Sequence, residues 1–351
     1  MFPPSGIYAT RYEQDTAIVR TKTQWALTIA GLILLFTLPL FIGSYLTKFI
    51  TYLAIVIVAV QGINILTGYC GQITLGHAAF MAVGGYVSAI ISIRYGLPIW
   101  VTLPCSALGA GLVGAIFGLP SVRVKGLYLA LATVAAQFII HWAILNTPEW
   151  TGGTSGLVLP YVELGGFALD TTFRFYYFAI IITCIMVYFA KNLARTGVGR
   201  AFVAIRDNDK AAESIGINLF FYKALAFFIG CLFAGVAGSL WAYYAHHITI
   251  EGAFTLMDSV WYVGMAIVGG LGSTLGVIFG CVFILGLKEL VLYFGPTISA
   301  ALPWAGSGLV SGMLAVLIGL VIVIFLIFEP RGLAHRWELL KASYRLHPYN
   351  Y

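Results

Sequence analysis

Charge is what this sequence has least of. Its 351 residues include 19 Lys or Arg and 13 Asp or Glu, together 9%, where an average soluble domain carries roughly 25%. With 60% hydrophobic residues and a mean hydropathy of +0.95, that scarcity excludes both an ordinary soluble domain and intrinsic disorder. The few charges stand at the ends of apolar runs or between them. At the centre of a run each would cost at least ~2.5–3.5 kcal/mol, so a proton relay through buried carboxylates is excluded. Catalytic signatures are missing as well: there is no GxSxG elbow, no HExxH helix and no GxxxxGK[ST] phosphate loop, so the chain does not bind ATP through a loop of its own. The five cysteines are odd in number and form neither a CxxC pair nor a Cys/His metal spacing. They read as small core residues, and neither a disulfide framework nor a metal or other cofactor is expected.

What the sequence has in abundance is uncharged apolar runs of about 20 residues, the length that spans about 30 Å of hydrocarbon as helix. Aromatics at 15% and 40 glycines suit helices packed closely in lipid with Trp and Tyr at their ends. The basic residues are clustered: Arg11, Arg20 and Lys22 before the first run, Arg123 and Lys125 in a short loop, six between Lys191 and Lys223, and Arg331, Arg336, Lys341 and Arg345 at the end. Segments 147–172 and 246–258 hold acids and no Lys or Arg. The positive-inside rule puts the basic patches in the cytoplasm and the acidic segments outside, and rules against reading the net charge of +6 as a nucleic-acid surface.

Spans are expected at about 26–46, 49–67, 72–93, 97–119, 126–146, 173–190, 224–245 and 305–328. Between the last two, 259–271 and 275–287 are apolar runs of about 20 Å each as helix, too short to cross, around the glycine-rich GGLGSTLG. The expected fold is an all-α polytopic membrane protein with about eight crossings plus a broken-helix re-entrant hairpin. Residues 1–25 form a cytoplasmic N-terminal segment, which is no cleavable signal. Residues 26–328 are expected to form a transmembrane domain with the cytoplasmic loop 191–223 and the hairpin 259–287, and 329–351 a cytoplasmic tail.

A second glycine-rich break falls at TGYCGQITLGHAAF, 67–80. Thr-Leu-Gly recurs at 74–76 and 274–276, a faint hint of an internal repeat that chance explains equally well. Gly114/Gly118, Gly276/Gly280 and Gly308/Gly312 are GxxxG pairs that put two glycines on one helix face. Irregular backbone at membrane depth is tolerated where protein buries it or where it lines a wet cavity, a usual place for a transporter's solute site. The polar residues Asn64, Gln72, Thr74, His77, Thr133, Gln137 and His141 stand at depth or at the breaks. Asn64, Gln72, Thr74, His77 and Gln137 are the candidates for a solute pathway; the alternative is that they bond across helices and to freed backbone groups. His246 and His247 read as a solvated outer pair.

The loop 191–223 is not a random linker. Phe202, Ile205, Ala212 and Ile215 fall near one helical face, Arg206, Asp207, Asp209 and Lys210 cluster off it, and Gly216 suits a helix end. The mixed charges favour a protein groove over a lipid surface.

These residues resemble the membrane permease subunits of ATP-binding-cassette importers for branched-chain amino acids. TGYCGQITLGHAAFMAVGGY (67–86), VRVKGLYLALAT (122–133) and GRAFVAIRDNDKAAESIGINLFFYKALAF (199–227) carry the likeness. TGGTSGL (151–157), VGGLGSTLG (268–276) and FEPRGL (328–333) extend it over about residues 50–333. The resemblance implies a coupling helix that docks on the ATPase through Ala211, Ala212, Glu213 and Gly216. Many such permeases have Glu-Ala-Ala followed by Gly; here Lys210 precedes Ala211 and Ala212, and the acid is displaced to Glu213. It further implies cytoplasmic ATP-binding subunits, a second homologous permease subunit, an extracytoplasmic solute-binding protein and a place in the plasma (inner) membrane. Close relatives carry branched-chain amino acids, urea, short amides or aromatic acids, and an uncharged pathway fits branched-chain or similar small amino acids. The competing readings are a stand-alone secondary transporter of a small polar solute, which broken helices permit, and a membrane enzyme built on His77 or His141, which no nucleophile or metal constellation supports.

Overall fold

The apolar runs become helices wherever glycine or proline does not interrupt them. The computed structural model describes residues 22–122, 124, 126–160, 163–164, 167–168, 171–301, 309–329 and 331–346. The sequence expectations for 1–21, Arg123, Lys125, Asp170 and Gly308 lie outside these residues. The helices are α1 (Lys22–Phe41), α2 (Ser44–Ile63, continued as a π-helix over Asn64–Tyr69), α3 (His77–Tyr95), α4 (Ile99–Gly118), α5 (Leu127–Leu145) and α6 (Thr172–Leu193). They continue as α7 (Gly197–Asp207), α8 (Asp209–Ser214), α9 (Leu219–Ala245), α10 (Leu256–Gly269), α11 (Thr274–Ala301), α12 (Leu309–Phe328) and α13 (Gly332–Leu346). The described sheet is two short antiparallel ribbons, one pairing Leu157 with Ile248 and the other Glu163 with Ala168.

Eight described helices are long and apolar enough to cross a membrane: α2 to α6, α9, α10 with the turn before it, and α11 up to Gly295. The chain is therefore an all-α polytopic membrane protein. Of the most apolar stretch of α2, 78% is buried by the rest of the protein, against 33% for α11, so α2 is the axis around which the bundle is built. Its residues Ile55 to Val60 are all buried. Lipid offers no hydrophobic drive for helix association, so close backbone approach and polar clasps must hold the bundle together. In α9, Gly235 faces the backbone of Gly84 and that of Ser106, while Gly238 faces the carbonyl of Met81 in α3. Gly114 and Gly118 of α4 pack on Cys231 and Phe227 of α9. Ser88 and Ser239 share a hydrogen bond of 2.8 Å, as do Thr102 and Tyr243.

Of the expected GxxxG seams, 114/118 and 276/280 are packed; a Cβ on Gly280 would run into the Met265 carbonyl of α10. The third, 308/312, has its first glycine outside the described residues, and no described atom lies within 4 Å of the Gly312 Cβ position. Spacing alone does not say which face of a helix meets a neighbour.

Three boundaries differ from the sequence expectation. The first helix ends at Phe41 rather than 46, because Gly43 takes an extended conformation and starts α2 at Ser44. The hairpin does break at Gly270–Ser273, with Gly270 and Gly272 at φ +108° and +81°. Its second arm, however, runs for 28 residues rather than stopping near 287, so a re-entrant hairpin of two short arms is not what forms. Lys288 and Glu289, which mark an end in sequence, are absorbed within α11. Lys288 Nζ stands 6.0 Å and 5.6 Å over the rings of Tyr52 and Trp261, and Glu289 accepts a 2.6 Å hydrogen bond from the Tyr45 hydroxyl. Finally, residues 332–346 form a helix whose Ala334 packs against Gly270 and Gly276.

A candidate coupling and translocation site

The basic loop builds two short helices. Thr196 caps α7 by accepting from the Gly199 N–H at 3.3 Å, and Asn208 caps α8 by accepting from Ala211 N–H at 3.1 Å. Asn208 lies at φ −160°, ψ 106°, which divides what the sequence reads as one amphipathic helix. The end of α8 is a Schellman turn: Gly216, at φ +89°, donates to the Glu213 carbonyl, and Ile217 donates to the Ala212 carbonyl. Phe202, Ile205 and Ala212 are buried as the spacing predicts. Ile215 is not; it is 75% exposed at the tip, because the break at Asn208 turns α8 out of phase with α7. Ala211, Glu213 and Gly216 are exposed beside it.

The tip stands on a firm base. Lys223, 2% exposed within the first turns of α9, lies 3.8 Å from Asp209 and donates to the Ser121 carbonyl at 3.5 Å, tying α8 to the end of α4. Its aliphatic stem and these partners place a cation inside the bundle that the sequence alone assigns to a loop.

Both glycine breaks meet at this same end of the bundle. Gly272 N–H donates to Asn64 Oδ1 at 2.7 Å, and Gln61 Nε2 donates to the Thr274 carbonyl at 2.8 Å. Tyr69 and Thr274 hydroxyls are 3.2 Å apart. A Cβ on Gly68 would run into Asn64 Oδ1 and Gly272 N, so this approach requires glycine.

The five candidate pathway residues are all buried, and they divide among three neighbourhoods. Asn64 serves the α10–α11 turn, as above. His77 faces α2, where a Cβ on Gly62 would stand 2.9 Å from its Nε2 and the ring meets the Ala59 backbone carbonyl. Gln137 donates to the Phe254 carbonyl at 3.1 Å and accepts from Ser259 at 2.9 Å. Among the described residues, Thr74 Oγ1 and Gln72 Oε1 have no hydrogen-bond partner. The break itself is held by Thr133, whose hydroxyl accepts from Leu75 N–H at 3.0 Å, and by Ser259, whose hydroxyl accepts from Ala78 N–H at 2.9 Å. Ser259 thus joins α3, α5 and α10. Nothing in the sequence marks it, because a lone serine in an apolar run is unremarkable until its partners are known. Ser259→Ala leaves the Ala78 donor without its partner and costs about 1–3 kcal/mol. The expected result is a lowered melting temperature in detergent with the fold retained, and an unchanged melt contradicts the three-way joint.

A helical bundle with few internal charges, interrupted by two glycine breaks and bearing a small exposed tip on a braced loop, is the architecture of a multi-pass membrane protein. The chain belongs to the family described as branched-chain amino acid transport system / permease component, which residues 45–326 match. It is 29% identical over 298 residues to the high-affinity branched-chain amino acid transport system permease protein LivM of Escherichia coli K12, covering 78% of this chain and 70% of the relative. It is 28% identical over 261 residues to the probable branched-chain amino acid transport permease protein LivM of Methanocaldococcus jannaschii, covering 73% of each. It is 26% identical over 248 residues to the permease protein LivH of the E. coli system, covering 65% of this chain and 78% of LivH. No solved structure matches the chain.

Proposed function

We propose that this chain is one permease subunit of an ATP-driven importer for branched-chain or similar small amino acids, coupled to separate ATPase subunits through α7 and α8. The exposed tip of α8 carries this reading: Ile215 is 75% exposed beside Ala211, Glu213 and Gly216, while Phe202, Ile205 and Ala212 of the same two helices are buried. An apolar knob with small neighbours and mixed charge suits a protein groove. That two relatives, LivM and LivH, are both permease proteins of the E. coli branched-chain system supports pairing with a second, homologous permease. A solute-binding protein outside would deliver the amino acid.

In this reading the protein lies in the plasma (inner) membrane with both termini cytoplasmic, residues 26–328 forming the permease domain. Among the described residues, Arg331 of the tail stands at Gly270, beside the turn that Arg206 of α7 reaches, and the positive-inside rule makes that end the cytoplasmic one. Asn64, Gln72, Thr74, His77 and Gln137 contribute to the pathway. The Thr74 hydroxyl, buried with no hydrogen-bond partner among the described residues, is a group that a passing ammonium or carboxylate would satisfy.

The test is uptake by proteoliposomes holding the complete importer. Leucine accumulation that needs internal ATP and the loaded binding protein supports the proposal, and competition by urea or short amides would move the substrate class. Accumulation driven by an ion gradient without ATP contradicts it and favours a stand-alone carrier.

A further inference from the structure

The notch between the two glycine breaks is bridged by one side chain from the loop. Arg206, next to last in α7, reaches across it. Its Nη1 donates to the Gly68 carbonyl in the π-helix at 2.9 Å, while Nε and Nη2 both donate to Asp207 Oδ1, at 3.0 and 2.9 Å. Asp207 thereby fixes the plane of the guanidinium. The stem lies on Gly71, where a Cβ would be 3.0 Å from Arg206 Cγ, and Gly71 at φ +71° leaves that space open. The same Nη1 stands over Gly272, whose Cβ would be 3.4 Å from it and from the Gly68 oxygen. One guanidinium thus touches the loop, the π-helical end of α2 and the turn between α10 and α11.

We propose that Arg206 is the positioning residue through which movement of the docking loop reaches the membrane helices. This rests on the importer reading above and deepens it. A π-helix carries one more residue than an α-helix of the same hydrogen-bond ladder and is often a site of conformational change. Here Cys70 N–H bonds to the Ile65 carbonyl and Gln72 N–H to the Leu66 carbonyl, so the ladder loosens step by step into the break that holds Thr74 and His77. The Gly68 carbonyl lies in the last turn of the π-helix, just past the carbonyls that this ladder uses, and Arg206 is the donor it meets. A pull on it by Arg206 acts on the register of 64–76, and through the Asn64–Gly272 bond it acts on the α10–α11 turn as well. A charged, planar donor with a long stem transmits this pull, whereas an apolar side chain of similar length keeps the packing on Gly71 and loses the grip.

The experiment uses the complete importer in proteoliposomes and reads three quantities: ATPase co-purified, ATP hydrolysed on addition of loaded binding protein, and solute imported per ATP. Arg206→Met should retain the ATPase and its stimulation while import per ATP falls by about tenfold, the scale of one hydrogen bond to a charged group. Arg206→Lys, which keeps one donor, should recover a substantial part. Unchanged import per ATP in the Met variant overturns the proposal, and so does equal loss of assembly in the Met and Lys variants, since that is a structural role. If the Met variant does not accumulate, Asp207→Ala serves instead: it leaves Arg206 in place but frees its plane, and a normal import per ATP there overturns the proposal. If the wild-type chain retains no ATPase, the importer reading itself falls; if it does and Arg206→Met stays coupled, only this inference falls.

Discussion

Gly238→Leu should leave essentially no folded protein in the membrane. The Cβ of any residue at 238 is driven into the Met81 carbonyl of α3 and lies 2.9 Å from Gly85 N, so it must displace backbone rather than the end of a flexible side chain. Overpacking by extra methylenes in a deformable core costs about 1–3 kcal/mol. Separating two helices that touch along Gly84–Gly235 and Gly85–Gly238 costs more, because the Ser88–Ser239 hydrogen bond on the same seam is lost too. Gly319→Leu in α12 is the control, since no described atom lies within 4 Å of its Cβ position. Size-exclusion profiles of detergent extracts should show Gly319→Leu as wild type and Gly238→Leu as aggregate or absent. A monodisperse Gly238→Leu would mean that α3 and α9 are not in backbone contact.

Gly216→Leu should uncouple uptake while the protein stays folded. No other residue is near the Gly216 Cβ position, so nothing within the chain resists the side chain. Two other things do: the φ of +89°, which an L-residue adopts at a cost of ~1–2 kcal/mol, and the partner surface that the tip is proposed to enter. Asparagine tolerates the left-handed region and separates them. If backbone strain dominates, Gly216→Asn transports nearly as wild type while Gly216→Leu falls about tenfold, the factor that this strain alone supplies. If close approach of the partner dominates, both fall. Normal uptake in Gly216→Leu contradicts docking at this tip.

The two variants mark the limit of what the sequence could tell. Apolar runs, basic patches and glycine breaks are local, so the helical bundle, the break at 270–273 and the burial of Phe202, Ile205 and Ala212 were readable from it. Contacts between distant segments were not. Periodicity carried Ile215 onto the buried face because the Asn208 cap, which resets the phase, is a single residue. Lys288 and Glu289 looked like a helix end because their partners Tyr52, Trp261 and Tyr45 come from other helices. Arg206 carries no local signal either: its meaning lies in the Gly68 carbonyl, 138 residues earlier in the chain. The pathway residues were picked for polarity at depth, and their burial agrees with that; which of them share a neighbourhood depends on helix rotation, which composition does not encode.

The central claim, that α7 and α8 join a passive permease to an ATPase, is tested most directly by co-purification in mild detergent with the ATP-binding subunits expressed from the same source. The wild-type chain should retain the ATPase, and a chain whose residues 208–216 are replaced by a glycine-serine linker should lose it while staying monodisperse. An ATPase held equally by both chains, or by neither, would contradict the claim.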